Sequence, residues 1–199
     1  MKKFIRKFWK NLESKISVIG ITGGFGSGKT TAASFFESKG FPKITLSGFL
    51  EKEAKKRGLL ITRKNLQDIG NQWRRRQGGG ILAKKALGFA KERGAKKIVV
   101  DGIRNTKEIE EFRSERFVLI AIEVSDEARF ERLKKLKRRE DLTWELFKKL
   151  DRRDMGESEE SFGLQLRACM EMADIHLINE GSMAEFKKKL DKLLNQYES

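Results

Sequence analysis

Short apolar runs alternate with amphipathic helical patterns along most of the chain. Residues 16–22 form a short β-branched run, and residues 117–124 are apolar at almost every position. Further strands are predicted at 41–46, 97–101 and 173–178. Because helices separate the strands, the pattern predicts a three-layer α/β/α fold with a five-stranded parallel sheet and right-handed crossovers. A strand that is apolar on both faces is covered on both faces, so we expect 117–124 to be the central strand.

Glycines and capping residues bound the predicted helices. Ser47, Thr62 and Thr143 each precede a helical pattern and are expected to be its N-cap. Glycines follow several of the patterns, as is typical of helix ends, and three glycines in succession at 78–80 break one stretch. The predicted helices span residues 30–39, 47–57, 63–77, 80–93, 126–137, 143 onward and 183–197.

The first 15 residues are a separate feature ahead of the first strand. Basic residues alternate there with apolar ones spaced for one helical face, which predicts a basic amphipathic helix over residues 1–15. The stretch lacks the continuous apolar core of a secretory signal. Packing against the main domain, which we place at residues 16–199, explains such a helix, and so does binding to a membrane surface or to a partner.

A glycine-rich segment between the first strand and the first helix organises the chain. Gly23 and Gly28 frame four residues and precede Lys29 and Thr30, which is the phosphate-binding pattern G-x-x-x-x-G-K-[ST]. Backbone amides of such a turn bind a polyphosphate together with the helix N-terminus. The lysine then contacts the β- and γ-phosphates, and the threonine hydroxyl ligates Mg²⁺. The residues predicted to bind ATP here are Gly23, Gly24, Phe25, Gly26, Ser27, Gly28, Lys29, Thr30 and Thr31.

A second polar position ends the strand at 97–101. Asp101 follows three apolar residues, as an acid does in the Walker B arrangement, although an aspartate at a strand end also caps turns. A phosphate-bound magnesium needs a carboxylate from a neighbouring strand, so we predict that Thr30 and Asp101 share the metal. Arg104 follows at the edge where open α/β sheets bind their ligands.

The composition limits the classes of binding partner and the cellular compartment that we expect for the chain. The 199 residues suffice for one domain with a sizeable core, and a formal net charge of +15 favours an anionic partner: a nucleotide, nucleic acid or an anionic membrane. The single cysteine, Cys169, excludes an internal disulfide and fits a reducing, cytoplasmic compartment. One histidine, His176, argues against a structural zinc site, and no apolar run approaches the length of a membrane span. We expect Cys169 and His176 to be core or near-core residues.

Two charge-dense helical patterns in residues 129–160 contain several arginines and little apolar surface. Such a pair is either a solvated face or a lid over phosphates, where arginines stabilise the transferred charge and exclude water. Together with the loop and Asp101, it favours phosphoryl transfer. A hydroxyl acceptor benefits from a carboxylate base, whereas a phosphate acceptor needs none. The second strand ends without an acid, which favours a phosphate acceptor, although Asp101 remains a candidate base.

Several motifs resemble those of P-loop kinases. Residues 21–30, ITGGFGSGKT, look like the opening of dephospho-CoA kinases, which belong to the nucleoside monophosphate kinase group. Residues 62–74, 100–105 and 179–182 are similar to P-loop kinase-like proteins related to dephospho-CoA kinase and to deoxynucleoside monophosphate kinases. The resemblance covers about residues 16–195, and it implies a P-loop NTPase sheet with ATP and Mg²⁺ as cofactors.

The same resemblance implies roles for segments and single residues. It implies a helical acceptor-binding insertion at about 47–93 and a helical lid at about 129–160. Within the lid, Arg132 matches the arginine that stacks on the donor adenine. The residues that would face the acceptor are Ser47, Arg63, Asn71, Arg74 and Arg104. Arg138, Arg139 or Arg153 would reach the phosphates, besides the catalytic Lys29 and Asp101. The residues that would line the adenine are Asn179, Gly181 and Ser182.

Two positions depart from the pattern of that family. Dephospho-CoA kinases have Asp-x-Asp at the end of the second strand, where this chain has Leu46-Ser47-Gly48, and a further lid arginine would fall at Leu136. The sequence therefore favours ATP-dependent transfer to a nucleoside or deoxynucleoside monophosphate, with dephospho-CoA as the rival acceptor. The alternative of another class is an ATP-binding module associated with nucleic acid or a membrane, which the net charge and the basic first helix support.

Overall fold

The structure is a computed structural model of the chain, in which residues 15–136, 142–157 and 163–198 are described. Almost all of the helix predicted over residues 1–15 lies outside the described residues, and so do Arg138 and Arg139 of the predicted lid. None of the helices in the described part combines the length and the apolar character that crossing a membrane requires.

Five parallel strands form one sheet, as predicted. They are β1 (Ser17–Gly23), β2 (Lys43–Thr45), β3 (Lys97–Asp101), β4 (Arg116–Glu123) and β5 (Ile175–Ile178). Their spatial order is β2-β3-β1-β4-β5, with every pair parallel. The central strand is therefore β1, and the prediction that residues 117–124 are central is wrong. An interior strand next to the centre is covered on both faces as well, so the apolar pattern of β4 does not separate the two positions.

Nine helices lie within the described ranges. They are α1 (Lys29–Ser38), α2 (Leu46–Lys56), α3 (Arg63–Gln77), α4 (Ile81–Glu92), α5 (Thr106–Phe112), α6 (Asp126–Leu136), α7 (Trp144–Met155), α8 (Leu166–Glu171) and α9 (Met183–Glu198). Thr62 and Thr143 are N-caps as predicted, since each hydroxyl accepts a hydrogen bond of 3.2 Å from the backbone three residues later. The short helices α5 and α8 fall where the hydrophobic pattern predicts no element.

The start of α2 differs from the prediction. β2 ends at Thr45 and α2 begins at Leu46, so Thr45 is the N-cap and Ser47 lies inside the first turn. The Ser47 hydroxyl is 3.5 Å from the Glu51 carboxylate, on the next turn of the same helix. The N-cap therefore lies two residues earlier than the polar pattern predicts, and Leu46, the first helical residue, is buried.

Two apolar clusters cover the two faces of the sheet. α1 and α9 pack on one face, where they contribute Phe36, Phe186 and Leu190. The cluster on the other face contains side chains of α2, α3, α4, α5 and α8. Cys169 of α8 is fully buried in this second cluster, which confirms its predicted core position. Burial raises the pKa of its thiol, so Cys169 is an unreactive core residue.

His176 is not a core residue, contrary to the prediction. It lies on β5, at the edge of the sheet, and its side chain is about half exposed. Its Nδ1 atom is 2.6 Å from Oε1 of Glu123 on the neighbouring strand. The prediction fails because only one face of β5 packs against the apolar clusters, through Ile175 and Leu177.

The carboxyl ends of the strands place the polar segments next to one another. β1 continues into the glycine-rich turn, and β3 continues into residues 102–104. The backbone amides of Gly102 and Ile103 both donate to the carbonyl of Ile21, at 3.1 and 3.2 Å. The chain after β3 therefore crosses the end of β1, and this crossing brings Arg104 close enough to Lys29 to affect its charge.

Two glycine substitutions test the packing of this sheet, and they should change stability in opposite directions. A Cβ on Gly20 of β1 would lie 2.5 Å from the Phe117 ring and 2.7 Å from Ile103. We expect Gly20→Ala to lower the free energy of unfolding by about 1–3 kcal/mol, because the core has no room for the methyl group.

The matched variant is Gly88→Ala in α4, where a Cβ would meet nothing within 4 Å. We expect it to raise the free energy of unfolding by about 0.5–1 kcal/mol, because alanine loses less backbone entropy in a helix. Urea denaturation of both variants measures the two changes. Equal stability of Gly20→Ala and the natural chain would contradict the packing described for β1.

Candidate active site

The turn between β1 and α1 has the conformation that a phosphate-binding loop requires. Gly28, the N-cap of α1, has a φ of 101° and is left-handed, which side chains other than glycine rarely adopt. A Cβ on Gly28 would lie 2.6 Å from Nδ2 of Asn179, which donates to the carbonyl of Ser27 at 2.9 Å. The turn is thus fixed from outside by Asn179, 152 residues further along the chain.

Lys29 lies against this turn and is largely buried. Its Nζ atom donates to the carbonyl of Gly24 at 2.7 Å. The pKa of Lys29 is lowered to about 7, mainly by burial and then by the nearby charge of Arg104, while Asp101 opposes the shift. Lys29, the first residue of α1, therefore has an amine that takes up a proton readily once an anion lies beside it.

Thr30 and Asp101, the residues predicted to share a metal, are brought together. The Thr30 hydroxyl donates to Oδ2 of Asp101 at 2.9 Å. Within the described ranges, no group of three or more His, Cys, Asp or Glu side chains could hold a metal ion. A hydroxyl and a single carboxylate fit Mg²⁺, because this ion keeps several waters and takes phosphate oxygens as further ligands.

Two of the predicted acceptor residues, Arg63 and Arg104, converge on one buried carboxylate. Arg63, the first residue of α3, forms an ion pair with Asp154 of α7. The Nε atom of Arg104 is 3.7 Å from Oδ2 of the same aspartate. Arg63 also covers the ring of Phe25 in the glycine-rich turn, at 4.2 Å from the ring centre. Arg63 therefore contacts both the glycine-rich turn and the carboxylate that Arg104 also approaches.

Arg129 of α6 connects α6 and α7, the helices of the predicted lid, to the glycine-rich turn. It donates to the carbonyl of Phe25 at 3.2 Å and to both carboxylate oxygens of Asp151, at 2.5 and 2.8 Å. It also forms an ion pair with Asp126. Burial lowers the pKa of Arg129, but bonds to Asp151 and then to Asp126 outweigh this and raise it. A Cβ on Gly24 would lie 2.5 Å from its guanidinium, so a side chain at that position would displace Arg129 from the turn.

Two residues predicted to bind the adenine also meet. Arg132 Nη2 donates to the backbone carbonyl of Asn179 at 2.8 Å. The Ser182 side chain and backbone amide are hydrogen-bonded to Glu185, at 2.9 and 2.7 Å, and Ser182 therefore caps α9. Gly181 lies beside this cap, since a Cβ there would approach the Glu185 carboxylate within 2.4 Å.

Arg74 is turned into the core rather than towards the acceptor, so its predicted role is corrected. It is 3% exposed, and its Nη2 atom is 2.9 Å from Oε1 of the fully buried Glu108. Asn71 lies near it, with Oδ1 3.4 Å from Arg74 Nη1. At 1.5 Å per residue along α3, these two positions lie about 12 and 16 Å from Arg63, too far to bind one phosphate together with it.

Arg153 and Ser47 also lie apart from the predicted site. Arg153 pairs with Asp68 of α3 at 2.8 Å, and its Nη1 atom is 3.4 Å from Oε1 of Gln67. It lines a cavity of about 430 Å³ on the outer side of α3, together with Asn71. Ser47 faces Glu51 within α2. These three side chains therefore do not join Arg63 and Arg104 at Asp154.

Sequence reasoning missed three residues of the site: Arg129, Asp151 and Asp154. Their roles depend on contacts between the lid helices and distant segments, which no local pattern indicates. One signal was available, since Asp151 and Asp154 are three residues apart and therefore share one side of α7. That side of the helix is buried, whereas an acidic pair on a charge-dense helix is ordinarily solvated.

The position of Arg74 generates a prediction about stability. Arg74→Met should lower the free energy of unfolding by about 3–5 kcal/mol, because it leaves the Glu108 carboxylate buried without its cationic partner. Arg75→Met, on the exposed neighbouring position, should change it by less than about 0.5 kcal/mol. Urea denaturation compares the two variants. A stable Arg74→Met variant with weakened acceptor binding would restore the role that the sequence predicts.

The lowered pKa of Lys29 generates a prediction about pH. An anion beside the amine raises the pKa again, so nucleotide binding at pH 8 should take up about 0.9 proton per chain. The affinity should fall as the pH rises above 7, by at most about tenfold per pH unit. Calorimetry in two buffers of different ionisation enthalpy measures the uptake. Lys29→Met should abolish it, and a proton-neutral reaction of the natural chain would contradict the prediction.

Solved structures with the same fold include several kinases. The chain is similar to TT1252 from Thermus thermophilus, with a TM-score of 0.62 at 18% identity over 92% of this chain and 98% of that one. It is also similar to the APS kinase CysC of Mycobacterium tuberculosis, with a TM-score of 0.52 at 14% identity over 93% and 99% of the two chains. At these identities the likeness shows the fold, which is that of P-loop kinases.

Relatives found by sequence share a higher identity with the chain than these solved structures do. The chain is 33% identical to a UPF0200 protein of Thermococcus gammatolerans over 90% of this chain and 94% of that one. It is 38% identical to a UPF0200/UPF0201 protein of Archaeoglobus fulgidus, of which it spans 55%. The family model for the AAA domain matches residues 19–159. The chain therefore belongs to the UPF0200 family and has an AAA domain, with the phosphate-binding loop near the start of the matched residues.

Proposed function

We propose that this protein is an ATP-dependent phosphotransferase whose acceptor is a nucleoside or deoxynucleoside monophosphate. The observation that supports the proposal most is the 2.9 Å contact between Thr30 and Asp101, directly beside the glycine-rich turn and Lys29. A loop, a lysine, a hydroxyl and a carboxylate in this arrangement form the donor half of a phosphoryl-transfer site.

The donor half assigns a task to each side chain. The turn at residues 23–28 holds the triphosphate through backbone amides, and the N-terminus of α1 stabilises its negative charge. Lys29 neutralises the transferred phosphoryl group, and its proton stays on Nζ once that anion lies beside it. Thr30 and Asp101 would hold Mg²⁺, which supplies charge neutralisation on the phosphates.

The acceptor half rests on Arg63 and Arg104. Both guanidiniums lie at one buried carboxylate, so they are already oriented to bind an anion at that place. A monophosphate held there needs no general base, because its oxygen is ionised at neutral pH. Burial of Arg63 and the packing of α7 across it keep water away from the transferred group.

A second candidate is transfer to a hydroxyl acceptor such as dephospho-CoA. One observation favours it: Asp154 places a carboxylate between the arginines, and a hydroxyl acceptor needs such a base. Against it, β2 ends in Thr45 without the acidic pair of dephospho-CoA kinases. A nucleic-acid-binding module is disfavoured, because Arg74 and Arg129 are buried and engaged in internal ion pairs.

Release of ADP from ATP and Mg²⁺ tests the proposal directly. Each ribo- and deoxyribonucleoside monophosphate, and dephospho-CoA, is added in turn to the natural chain and to Lys29→Ala. We expect turnover that depends on at least one monophosphate and falls by about 100-fold or more in Lys29→Ala. Unchanged circular dichroism and thermal melting of that variant are the control for folding.

Three outcomes would contradict the proposal. Turnover with dephospho-CoA alone would favour the hydroxyl acceptor. Hydrolysis that no acceptor accelerates would indicate a nucleotide switch. Salt-sensitive binding of single- or double-stranded nucleic acid at micromolar affinity or tighter, without transfer, would favour the nucleic-acid module.

A further inference from the structure

Asp154 is a fully buried carboxylate in the middle of a cationic site. Its Oδ1 atom accepts a hydrogen bond of 2.7 Å from Nε2 of Gln67, and its Oδ2 atom faces Arg63 and Arg104. These donors come from α3 and from the segment after β3, whereas Asp154 comes from α7. The lid helix thus inserts one anionic group into a pocket of donors supplied by the rest of the domain.

We propose that Asp154 occupies the subsite for the anionic group of the acceptor, so that the incoming anion must displace it and lift α7. The inference rests on the proposed function, because it takes Arg63 and Arg104 as acceptor ligands. A carboxylate and a phosphate monoester both accept hydrogen bonds from guanidinium groups through negatively charged oxygens, so they compete for the same donors. The natural ligand class is a phosphate monoester.

The energetics favour an exchange of one anion for another. Two guanidiniums in a buried site are unfavourable without a counter-charge, so the domain is most stable when a carboxylate or a ligand lies between them. The affinity for the ligand is reduced by the fraction of molecules in which Asp154 already fills the site. The Asp154 carboxylate therefore competes with the ligand for Arg63 and Arg104 at a fixed effective concentration. Anions that bind these arginines only weakly do not displace it.

The same helix ties this exchange to the nucleotide loop. Asp151 lies one turn before Asp154 and holds Arg129, whose guanidinium also contacts the carbonyl of Phe25. Lifting α7 to release Asp154 moves Asp151 as well, since the two are three residues apart on one rigid helix. Displacement by the acceptor thus releases Arg129 from Asp151, one of its two carboxylate partners, next to the phosphate-binding turn.

Binding of inorganic phosphate tests the inference without any transfer reaction. We expect Asp154→Asn to bind phosphate at least about tenfold more tightly than the natural chain, because the internal competitor is removed. The matched control is Asp68→Asn, which breaks the exposed ion pair between α3 and α7 but leaves Asp154 in place. It should bind phosphate as the natural chain does. The gain in phosphate affinity of Asp154→Asn should disappear when the variant also carries Arg63→Met.

Two results of this calorimetry would overturn the inference. One is an Asp154→Asn variant that binds phosphate no more tightly than the natural chain. The other is an equal gain in Asp68→Asn, which would mean that loosening α7 is sufficient. If Asp154→Asn loses transfer while its phosphate affinity stays unchanged, Asp154 is a base and the inference also fails. If the natural chain transfers to no monophosphate, the proposed function fails, but the phosphate result still decides the role of Asp154.

A distance measurement covers the case in which Asp154→Asn does not fold. Spin labels on Lys64→Cys of α3 and Lys149→Cys of α7 report the separation of the two helices, while Cys169 is buried and stays unlabelled. We expect the separation to increase when millimolar phosphate is added to the otherwise natural chain. An unchanged separation at a phosphate concentration that calorimetry shows to be saturating would overturn the inference.

Discussion

Four cationic side chains pack around one glycine-rich turn, and the rest of the site depends on the balance of their charges. Lys29, Arg63, Arg104 and Arg129 lie close enough for the three guanidiniums to lower the pKa of the amine. Such a cluster is stable only when carboxylates are packed among the cations. Those carboxylates arrive from three separate places: Asp101 from the end of β3, Asp126 from α6, and Asp151 and Asp154 from α7.

The parts of the site that the sequence predicts are local in the chain. The glycine-rich turn, the Thr62 and Thr143 caps and the acid at the end of β3 each follow from a few consecutive residues whose backbone conformation dictates their type. Gly26 and Gly28 have φ values of 85° and 101°, a left-handed backbone that glycine adopts at low cost and other residues rarely adopt.

The parts that the sequence does not predict depend on pairing across the chain. The direction of Arg74 follows from Glu108, 34 residues later, whose carboxylate also accepts from the backbone amides of Arg104 and Asn105. Burial of Asp154 follows from Gln67, 87 residues earlier. An arginine-rich helix predicts an anion site but not which arginines face it, because the neighbours that orient each guanidinium are supplied by other elements.

Asn179 has a consequence for the order in which the site is completed. Its side-chain amide donates to the Ser27 carbonyl, and its backbone carbonyl accepts from Arg132, so the phosphate-binding turn and α6 are both held by the segment after the last strand. The turn is synthesised 152 residues before Asn179, so its outer support is made only after β5 has been added to the chain. A nascent chain therefore acquires nucleotide affinity late, and a product truncated before β5 lacks the support of its own loop.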